Sequence, residues 1–488
     1  MKNKIFKRKI VSSILLLLFI IGSSSLLFSA QANNNSSKGE FVQNSEELKL
    51  SAIYWSTTEV VSNESTGASY YPTIAVDSTG NAHVAWDDDT NYSDSGTDRD
   101  IFYKRWNATN SMWTTTEVVS TESALNSEGA TIVVDGVGNV HVAWMDYMNY
   151  SDSGTDRDIF YKRWNTTSST WTTTEVVSTE STSNSFDPTI AVDSTGNLHV
   201  GWGDETNYGG SGADTDIFYK RWNVTSSTWT TTEVVSTEST NFSWFPTIAV
   251  DGPGNVHIAW GDDTNYWGSG TDSDIFYKRW NTIGSMWTTT EVVSTESTNF
   301  SWSPTIAVKG FWNVHVAWMD NSTYSDIIIP GSDYDIFYKQ WDVDRSIWTT
   351  TEVVSSESAL NSKDPTIAVD DAGNAHIAWM DNTDYDIFYR RWNEINSRWD
   401  TIEVVSTEST LSSKDPTIAV DGFGNVHVAW MDNSTYGGAG SDYDIFYKQL
   451  IEDNEPYSYD QFGMTIFFLL PIIIIIAIVA GIKSKPKK

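Results

Sequence analysis

The sequence contains no cysteine, so no disulfide can stabilise the fold and no thiolate can act as a nucleophile or metal ligand. It is also poor in positive charge. The 30 Lys and Arg stand against 64 Asp and Glu, which gives a formal net charge of −34. Such a field repels nucleic acid and anionic membrane surfaces and favours cations or neutral ligands. We therefore expect no nucleic-acid partner.

Long hydrophobic runs are missing except at the two ends of the chain. The region between the ends is nevertheless rich in aromatic residues, and the whole chain has 24 Trp, 22 Tyr and 20 Phe. Aromatic residues on this scale must be buried or used for binding, which excludes a disordered acidic chain. A length of 488 residues with 39% apolar content is enough for a large packed core.

The N-terminal end has the organisation of a secretory signal. A basic stretch from Lys2 to Lys9 precedes the apolar residues 10–28, and Ala30-Gln31-Ala32 fits a cleavage site for small residues. We predict a signal peptide over residues 1–32 and a linker over residues 33–54. Because the apolar stretch is somewhat long, an uncleaved anchor is the alternative.

The C-terminal end predicts a single membrane anchor. Residues 463–482 contain no charge, and a helix of about 20 apolar residues crosses a bilayer. Four lysines follow within residues 483–488, and positive residues stay on the cytoplasmic side. We therefore predict a juxtamembrane linker over 450–462, a transmembrane helix over 463–482 and a cytoplasmic tail over 483–488. The rest of the chain is then exposed at the cell surface; a buried core helix is the alternative.

Histidine reveals an internal repeat. All seven histidines lie in one motif, 51 to 61 residues apart: His83, His141, His199, His257, His315, His376 and His427. A period of this size with strand-like content is typical of a propeller or another repeat array. Each unit has four short runs rich in Val, Ile, Thr, Tyr, Phe and Trp, bounded by turn residues, as in residues 188–193, 198–202, 216–222 and 229–236.

The phase of the repeats predicts how the array closes. The last unit stops after residues 444–449 with three strands, whereas an extra fourth-strand copy, residues 55–62, precedes the first unit. The N-terminal strand should therefore complete the seventh blade, which removes exposed sheet edges. We predict an all-β fold, a seven-bladed β-propeller of four-stranded blades over residues 55–449.

The repeat motif also resembles a known family. Pro-Thr-Ile-Ala-Val-Asp-x-x-Gly-Asn-x-His-Val-Ala-Trp, followed by Asp-Ile-Phe-Tyr-Lys-Arg-Trp, is similar to repeats of sialidase-like, BNR-type propellers, and its first half resembles NHL-type repeats. The resemblance implies the fold but no single function, because such propellers include hydrolases, lectins and protein-binding scaffolds. The Ser-x-Asp-x-Gly-x-Thr-Trp box common in sialidases is absent, so no active-site residue is carried over.

Acidic residues recur at both ends of the loop between the second and third strands of each unit. Three carboxylates per loop provide hard oxygen ligands that suit Ca²⁺, although no loop has EF-hand spacing. The alternative is that these residues cap turns. The sequence requires no cofactor, and the candidate Ca²⁺ ligands of the first four units are Asp88, Asp98, Asp100, Asp146, Asp156, Asp158, Asp204, Asp214, Asp216, Asp262, Asp272 and Asp274. We expect the repeated histidines, by contrast, to form structural hydrogen bonds within or between blades.

Aromatic residues in the longest loops are the candidates for ligand binding. They belong to connections that should share one rim, where rings beside Asp and Asn suit sugars; the alternative is that they pack the loops onto the blades. The candidates are Tyr92, Tyr150, Tyr208, Tyr266, Trp267, Tyr324, Tyr436, Trp244 and Trp302. Several Asn-x-Ser/Thr sequons, such as Asn91 and Asn241, are predicted glycosylation sites.

Three functions fit this sequence. The leading hypothesis is multivalent recognition of glycans or surface polymers through the rim; the second is adhesion to another surface protein. The third is a glycan hydrolase, but most arginines are periodic and no pair of carboxylates stands out, which favours a non-enzyme. Seven similar rim pockets would favour the first hypothesis, a flat rim the second, and aperiodic residues gathered on one rim the third.

Overall fold

The structure is a computed structural model that describes residues 52–453, apart from 94, 152, 267–268, 271, 311–312, 323–332, 359 and 384. These residues form seven antiparallel sheets, one per repeat, and one short 3-10 helix, Tyr436–Gly438. No helix within them has the length and apolar character to cross a bilayer. The predicted signal peptide and the predicted transmembrane helix lie outside the described residues.

Each blade begins with its innermost strand. These first strands are β3 (Ser69–Val76), β8 (Ser127–Val134), β13 (Ser185–Val192), β18 (Ser243–Val250), β23 (Ser301–Lys309), β28 (Ser362–Val369) and β33 (Ser413–Val420). Each contacts the first strands of both neighbouring blades, and β3 contacts β33. The seven blades therefore form a closed ring.

The second and third strands of each blade are connected by the loop that carries the acidic residues. The second strands are β4 (Ala82–Asp88), β9 (Val140–Asp146), β14 (Leu198–Asp204), β19 (Val256–Asp262), β24 (Asn313–Asp320), β29 (Ala375–Asp381) and β34 (Val426–Asp432). The third strands are β5 (Asp100–Asn107), β10 (Asp158–Asn165), β15 (Asp216–Asn223), β20 (Asp274–Asn281), β25 (Asp335–Asp342), β30 (Asp386–Asn393) and β35 (Asp444–Asp453).

The predicted fourth strand is split into two short pieces. In blade 1, the hydroxyl of Thr114 accepts the hydrogen bond of the Arg105 amide at 3.1 Å, so a side chain takes the place of a ladder carbonyl and the chain leaves the sheet. The pieces are β6 (Met112–Trp113) and β7 (Glu117–Val118), β11 (Thr170–Trp171) and β12 (Glu175–Val176), β16 (Thr228–Trp229) and β17 (Glu233–Val234), β21 (Met286–Trp287) and β22 (Glu291–Val292), β26 (Ile347–Trp348) and β27 (Glu352–Val353), β31 (Arg398–Trp399) and β32 (Glu403–Val404), and β1 (Ala52–Trp55) and β2 (Glu59–Val60).

The N-terminal strand closes the ring as predicted. Both β1 and β2 pair with β35, the third strand of the seventh blade, so the first described residues complete the last blade. The seven-bladed all-β propeller is thereby confirmed. Strand direction places the long loops on one side of the ring, which we call the loop face. The short turns that follow the first and third strands lie on the opposite side, the turn face.

The core lies between neighbouring blades. One buried cluster joins Trp86 and Phe102 of blade 1 to Ala429 and Tyr447 of blade 7, and six other clusters repeat this arrangement around the ring. A buried lysine also links adjacent blades: Lys162 in blade 2 donates to the Val119 carbonyl of blade 1 at 2.9 Å and to Glu122 at 2.6 Å. Each blade therefore depends on its neighbour for burial.

The repeated histidines are structural, as expected. In blade 1, Nδ1 of His83 is 2.7 Å from the Tyr103 hydroxyl, and Nε2 is 3.5 Å from the carboxylate of Asp77 in the preceding turn. The His–Tyr hydrogen bond recurs in all seven blades. Burial lowers the pKa of His83, so the ring is neutral and ties three segments of one blade together.

Candidate functional site

Among the strand positions, the blades differ most where the first strands begin on the loop face. We call this region the mouth. It comprises the second and third residues of each first strand, with the residues opposite them on the second strand and at the start of the third. At the second position of β3, β8, β13, β18, β23, β28 and β33 stand Tyr70, Glu128, Phe186, Trp244, Trp302, Lys363 and Lys414. At the third stand Tyr71, Gly129, Asp187, Phe245, Ser303, Asp364 and Asp415.

A β-bulge turns the third mouth residue in every blade. The register shifts after Tyr70 in β3 and at the equivalent place in β13, β18, β23, β28, β33 and β8. Tyr71 has a φ of 47° and Phe245 a φ of 50°, in the left-handed region that disfavours bulky side chains. Bulges re-aim side chains and concentrate near binding sites, as does backbone strain.

One arc of the mouth is aromatic. The rings of Trp244 in blade 4 and Trp302 in blade 5 stack at 5.3 Å with an interplanar angle of 10°. Phe242 stacks on Trp244 at 6.1 Å, and Phe245 and Phe300 each lie 6.4 Å from Trp302. The three phenylalanines are exposed. Blades 4 and 5 thus present a continuous aromatic platform.

The opposite arc of the mouth carries ionisable groups. Arg99 lies 4.6 Å above the ring of Tyr70, donates to Asp89 at 2.9 Å and is 3.5 Å from Glu128. Lys414 lies 5.5 Å from the ring of Tyr443. Blades 6, 7, 1 and 2 therefore place lysine, arginine, carboxylate and tyrosine side chains around the same opening.

Asp87 is the most unusual of these groups. It stands opposite Tyr70 in β4, where other blades have Gly or Met, and it is fully buried. One oxygen accepts the Gly129 amide at 2.9 Å; the other has no hydrogen-bond partner in the described chain. Burial raises its pKa to about 7, although hydrogen bonds from two backbone amides oppose the rise.

Two further carboxyl groups of the mouth, Asp364 and Asp415, have raised pKa values. Burial raises the pKa of Asp415 to about 6, and the charge of Asp364 in the neighbouring blade adds to the rise, while Lys414 opposes it. Burial also raises the pKa of Asp364. The pKa of Tyr71 is raised by burial and then by the charge of Asp415. These three residues occupy consecutive blades.

The rim tyrosines predicted as ligand contacts lie in the loops between second and third strands. Tyr92 packs against Phe102 of the third strand at 5.8 Å, and Tyr150, Tyr208, Tyr266 and Tyr436 make the equivalent contact in their blades. Tyr92 also lines a polar pocket of about 450 Å³. Trp244 and Trp302 lie apart from them, in the mouth. Trp267 and Tyr324 lie outside the described residues.

The three acidic residues of each loop have different surroundings. Asp88, at the end of the second strand, accepts hydrogen bonds from Ser65, Ser69, Trp86 and the Thr90 amide. Asp146, Asp204 and Asp262 have the same four-fold arrangement. Within the described ranges no three His, Cys, Asp or Glu side chains gather to hold a metal. The loop therefore does not join Asp88 to Asp98 and Asp100 in one ligand set.

Sequence reasoning overlooked most of the mouth. Trp244 and Trp302 were candidates, whereas Tyr71, Asp87, Asp364 and Asp415 were not. Alignment of the seven repeats against each other, followed by a search for their most variable columns, would have found these residues. Their closeness depends on the ring, which brings the first strands of all blades together.

No protein-family model matches the chain, and no curated protein sequence does. Solved structures share the fold. A polysaccharide lyase, Uly1, aligns with a TM-score of 0.50 at 11% identity over 78% of this chain and 89% of its own. A protein of unknown function from Dyadobacter fermentans gives 0.45 at 10% over 82% and 99%. An intramolecular trans-sialidase from Ruminococcus gnavus gives 0.40 at 10% over 84% and 98%.

At such identities the likeness concerns the fold alone. The resemblance to sialidase-like propellers is confirmed at that level, whereas the NHL-like detail stays a prediction. This chain is a seven-bladed β-propeller, and a polysaccharide lyase is similar to it in fold.

Proposed function

We propose that the chain is a cell-surface recognition protein that binds a carbohydrate at the mouth of its loop face. One observation carries the proposal: seven blades that agree closely elsewhere diverge at the mouth, into an aromatic arc and an ionisable arc. Repeats that served only the fold would have no reason to concentrate their differences there. A single asymmetric opening is what selective binding of one ligand requires.

The two arcs complement the two kinds of surface on a sugar. The Trp244–Trp302 platform offers apolar area to the C–H face of a sugar ring, and exposed aromatic groups contribute strongly to binding. Lys414, Asp415 and Arg99 offer charged donors and acceptors to hydroxyl groups, and such hydrogen bonds are stronger than neutral ones. A polysaccharide lyase has a similar fold, which supports a carbohydrate as the class of ligand.

The proposal favours one central site over seven equivalent rim sites. The rim tyrosines are occupied in packing their loops onto the third strands, as Tyr92 does on Phe102. Their role as additional ligand contacts stays a prediction. A polymer that bound across the mouth would reach them on its way to the rim.

The proposal includes display outside the cell. Its support is in the sequence: a secretory signal over residues 1–32 and a predicted transmembrane helix over 463–482 with a basic cytoplasmic tail. Protease treatment of intact cells should then digest the propeller. Protection of the chain in intact cells, with digestion after lysis, would contradict this placement.

A glycan hydrolase is the second candidate, and the Asp364–Asp415 pair favours it. Hydrolysis of a glycosidic bond needs one carboxyl group that is protonated and one that is ionised. Burial raises the pKa of both groups, and the charge of Asp364 raises that of Asp415 further, which makes Asp415 the candidate for the protonated group and Asp364 for the ionised one. Release of reducing ends from a bound glycan, lost in Asp415→Asn and in Asp364→Asn, would show catalysis.

The test is a glycan array probed with the full-length chain and two variants. Trp302→Ala removes half of the aromatic platform. Phe423→Ala removes an exposed ring from the turn face and is the matched control. We expect binding to fall about 5- to 30-fold in Trp302→Ala, since a stacked ring contributes roughly 1–2 kcal/mol, and to be unchanged in Phe423→Ala.

Two results would contradict the proposal. Equal binding by Trp302→Ala and the native chain would show that the mouth is not the binding site and would favour the rim. Absence of binding to any glycan would favour the third reading, in which the loop face recognises another surface protein.

A further inference from the structure

The loops between second and third strands contain carboxylate oxygens that no protein group satisfies. In blades 1 and 2, Oδ2 of Asp98, Asp100, Asp156 and Asp158 is buried and has no hydrogen-bond partner in the described chain. Asp100 and Asp158 are each only 1% exposed. Oδ2 of Asp216 and Asp274, in the equivalent loops of blades 3 and 4, is in the same situation. A buried carboxylate oxygen without a partner is costly, so its repetition from blade to blade needs an explanation such as a bound ion.

The local sequence Ser-Gly-x-Asp-x-Asp holds these oxygens in place. Gly96 has a φ of 121°, and a Cβ added to it would lie 2.5 Å from Oδ1 of Asp98. Gly154 and Asp156 repeat this geometry with the same distance. Only glycine therefore allows the aspartate side chain to fold back over the loop, and the folded position leaves its second oxygen buried.

The other oxygen of Asp100 is fixed. Ser120 donates to it at 2.7 Å, and Ser178 does the same for Asp158. Asp100 also lines the pocket of about 450 Å³, together with Ser95, Ser123 and Glu117. A cation beside Asp100 would thus have hydroxyl groups and water within reach.

The electrostatics of the loop favour positive charge. The negative charges of Asp98 and of Asp146 in the next blade act on Asp100, and those of Asp156 and Asp204 act on Asp158. A cation beside these buried carboxylates would relieve both the repulsion and the cost of desolvation.

We propose that the Ser-Gly-x-Asp-x-Asp loops of blades 1 and 2 each bind a hydrated calcium ion, through Asp98 and Asp100 in blade 1 and through Asp156 and Asp158 in blade 2. Two carboxylates with hydroxyl and water oxygens suit the flexible coordination of Ca²⁺ better than the strict octahedron of Mg²⁺. So few charged ligands place the affinity near that of weak extracellular sites, about 10⁻⁴–10⁻³ M. The proposal uses part of the predicted ligand set and leaves out Asp88, whose oxygens accept hydrogen bonds from Ser65, Ser69, Trp86 and Thr90. It does not depend on what the mouth binds.

Calorimetric titration of the full-length chain with CaCl₂ tests the proposal. The variant Asp98→Asn/Asp100→Asn/Asp156→Asn/Asp158→Asn should bind two fewer ions per chain than the native protein. A matched control, Glu205→Gln/Asp344→Asn/Glu357→Gln/Asp371→Asn, removes the same charge from exposed positions and should keep the native stoichiometry. Melting curves with calcium and with chelator provide a second readout, because binding to the folded state raises Tm.

Blade 6 provides a control that distinguishes ion binding by the loop aspartates from a purely structural role. Its loop is shorter and lacks the Ser-Gly pair, but Ser406 still donates to Asp386 at 2.6 Å. Asp386→Asn should therefore leave the calcium stoichiometry unchanged, whereas the single variants Asp100→Asn and Asp158→Asn should each lose one ion. These single variants also decide the matter if the four-fold variant does not fold. No calcium binding by the native chain at about 10 mM, or native stoichiometry in the single variants, would overturn the proposal.

Discussion

The interior of the blades and the mouth of the loop face are made from the same seven repeats, yet they differ in what the repeats preserve. In the interior, Trp86 and its six equivalents are all fully buried, and each His–Tyr hydrogen bond is repeated. At the mouth, the second and third residues of the first strands change from blade to blade, and the residue opposite Tyr70 is the buried carboxyl of Asp87. The residues of the interior stabilise the fold. The mouth, in contrast, contains backbone strain and a buried carboxyl, which are typical of functional sites.

Removing one tryptophan from the interior and one from the mouth should affect stability very differently. Trp202→Ala should lower the free energy of unfolding by about 3–5 kcal/mol, because it leaves a cavity between blades and removes the Trp202–Asp204 hydrogen bond. Trp302→Ala, in the mouth, should cost about 1 kcal/mol, the value of one stacked pair. Guanidinium denaturation measures both. Equal losses would mean that the mouth is as structural as the interior.

The second test compares two lysines. Lys162→Met removes the donor to the Val119 carbonyl and to Glu122, so the native state loses a link between blades 1 and 2. We expect a loss of about 1–3 kcal/mol, the cost of leaving a buried acceptor unpaired. Lys414→Met at the mouth breaks a contact with the Tyr443 ring and should change stability by less than about 1 kcal/mol. A larger loss in Lys414→Met would reverse the assignment of the two regions.

The third test makes the mouth more like the interior. Asp87→Met gives blade 1 the residue found at Met145, Met319, Met380 and Met431, and it removes the unpartnered carboxyl oxygen. We expect the variant to be more stable than the native chain by about 1–2 kcal/mol at pH 8, at a cost in ligand binding.

The sign of the pH dependence follows from the pKa of Asp87, which burial raises to about 7. A carboxyl with a raised folded-state pKa contributes stability that is present below its unfolded pKa near 4 and is lost as the pH rises through 7. The advantage of Asp87→Met should therefore be largest above pH 7 and shrink towards pH 5. Denaturation curves at pH 5, 6, 7 and 8 check this, and an advantage that grew on acidification would contradict it.

The same comparison explains what the sequence could predict. Periodic features were accessible: the seven histidines set the blade count, and the extra copy at residues 55–62 predicted the closure that β1 and β2 make with β35. The mouth was not, because Tyr71, Asp364 and Asp415 belong to different repeats and become neighbours only when the ring closes. The split of the fourth strand was also missed, since it depends on one hydroxyl, that of Thr114, entering the ladder. The sequence left open whether the rim tyrosines bind a ligand or pack their loops, because their packing partner, such as Phe102, lies in another strand.

One interior position breaks the repeat and gives the smallest expected effect. In blade 5, Lys309 replaces the turn aspartate, so Nε2 of His315 lacks the carboxylate that lies 3.3–3.5 Å from the equivalent atom in the other six blades. Burial lowers the pKa of His315 to about 3. A protein with such a buried base loses stability as the pH falls below the pKa of histidine in the unfolded chain, near 6.5. Lys309→Asp should restore the partner, raise that pKa and reduce the loss between pH 7.5 and pH 6.0 by less than about 1 kcal/mol. Denaturation of the two proteins at both pH values measures the difference. If acidification destabilised both proteins equally, the turn aspartate would have no part in keeping the interior histidines neutral, and the six intact His–Asp pairs would contribute geometry alone.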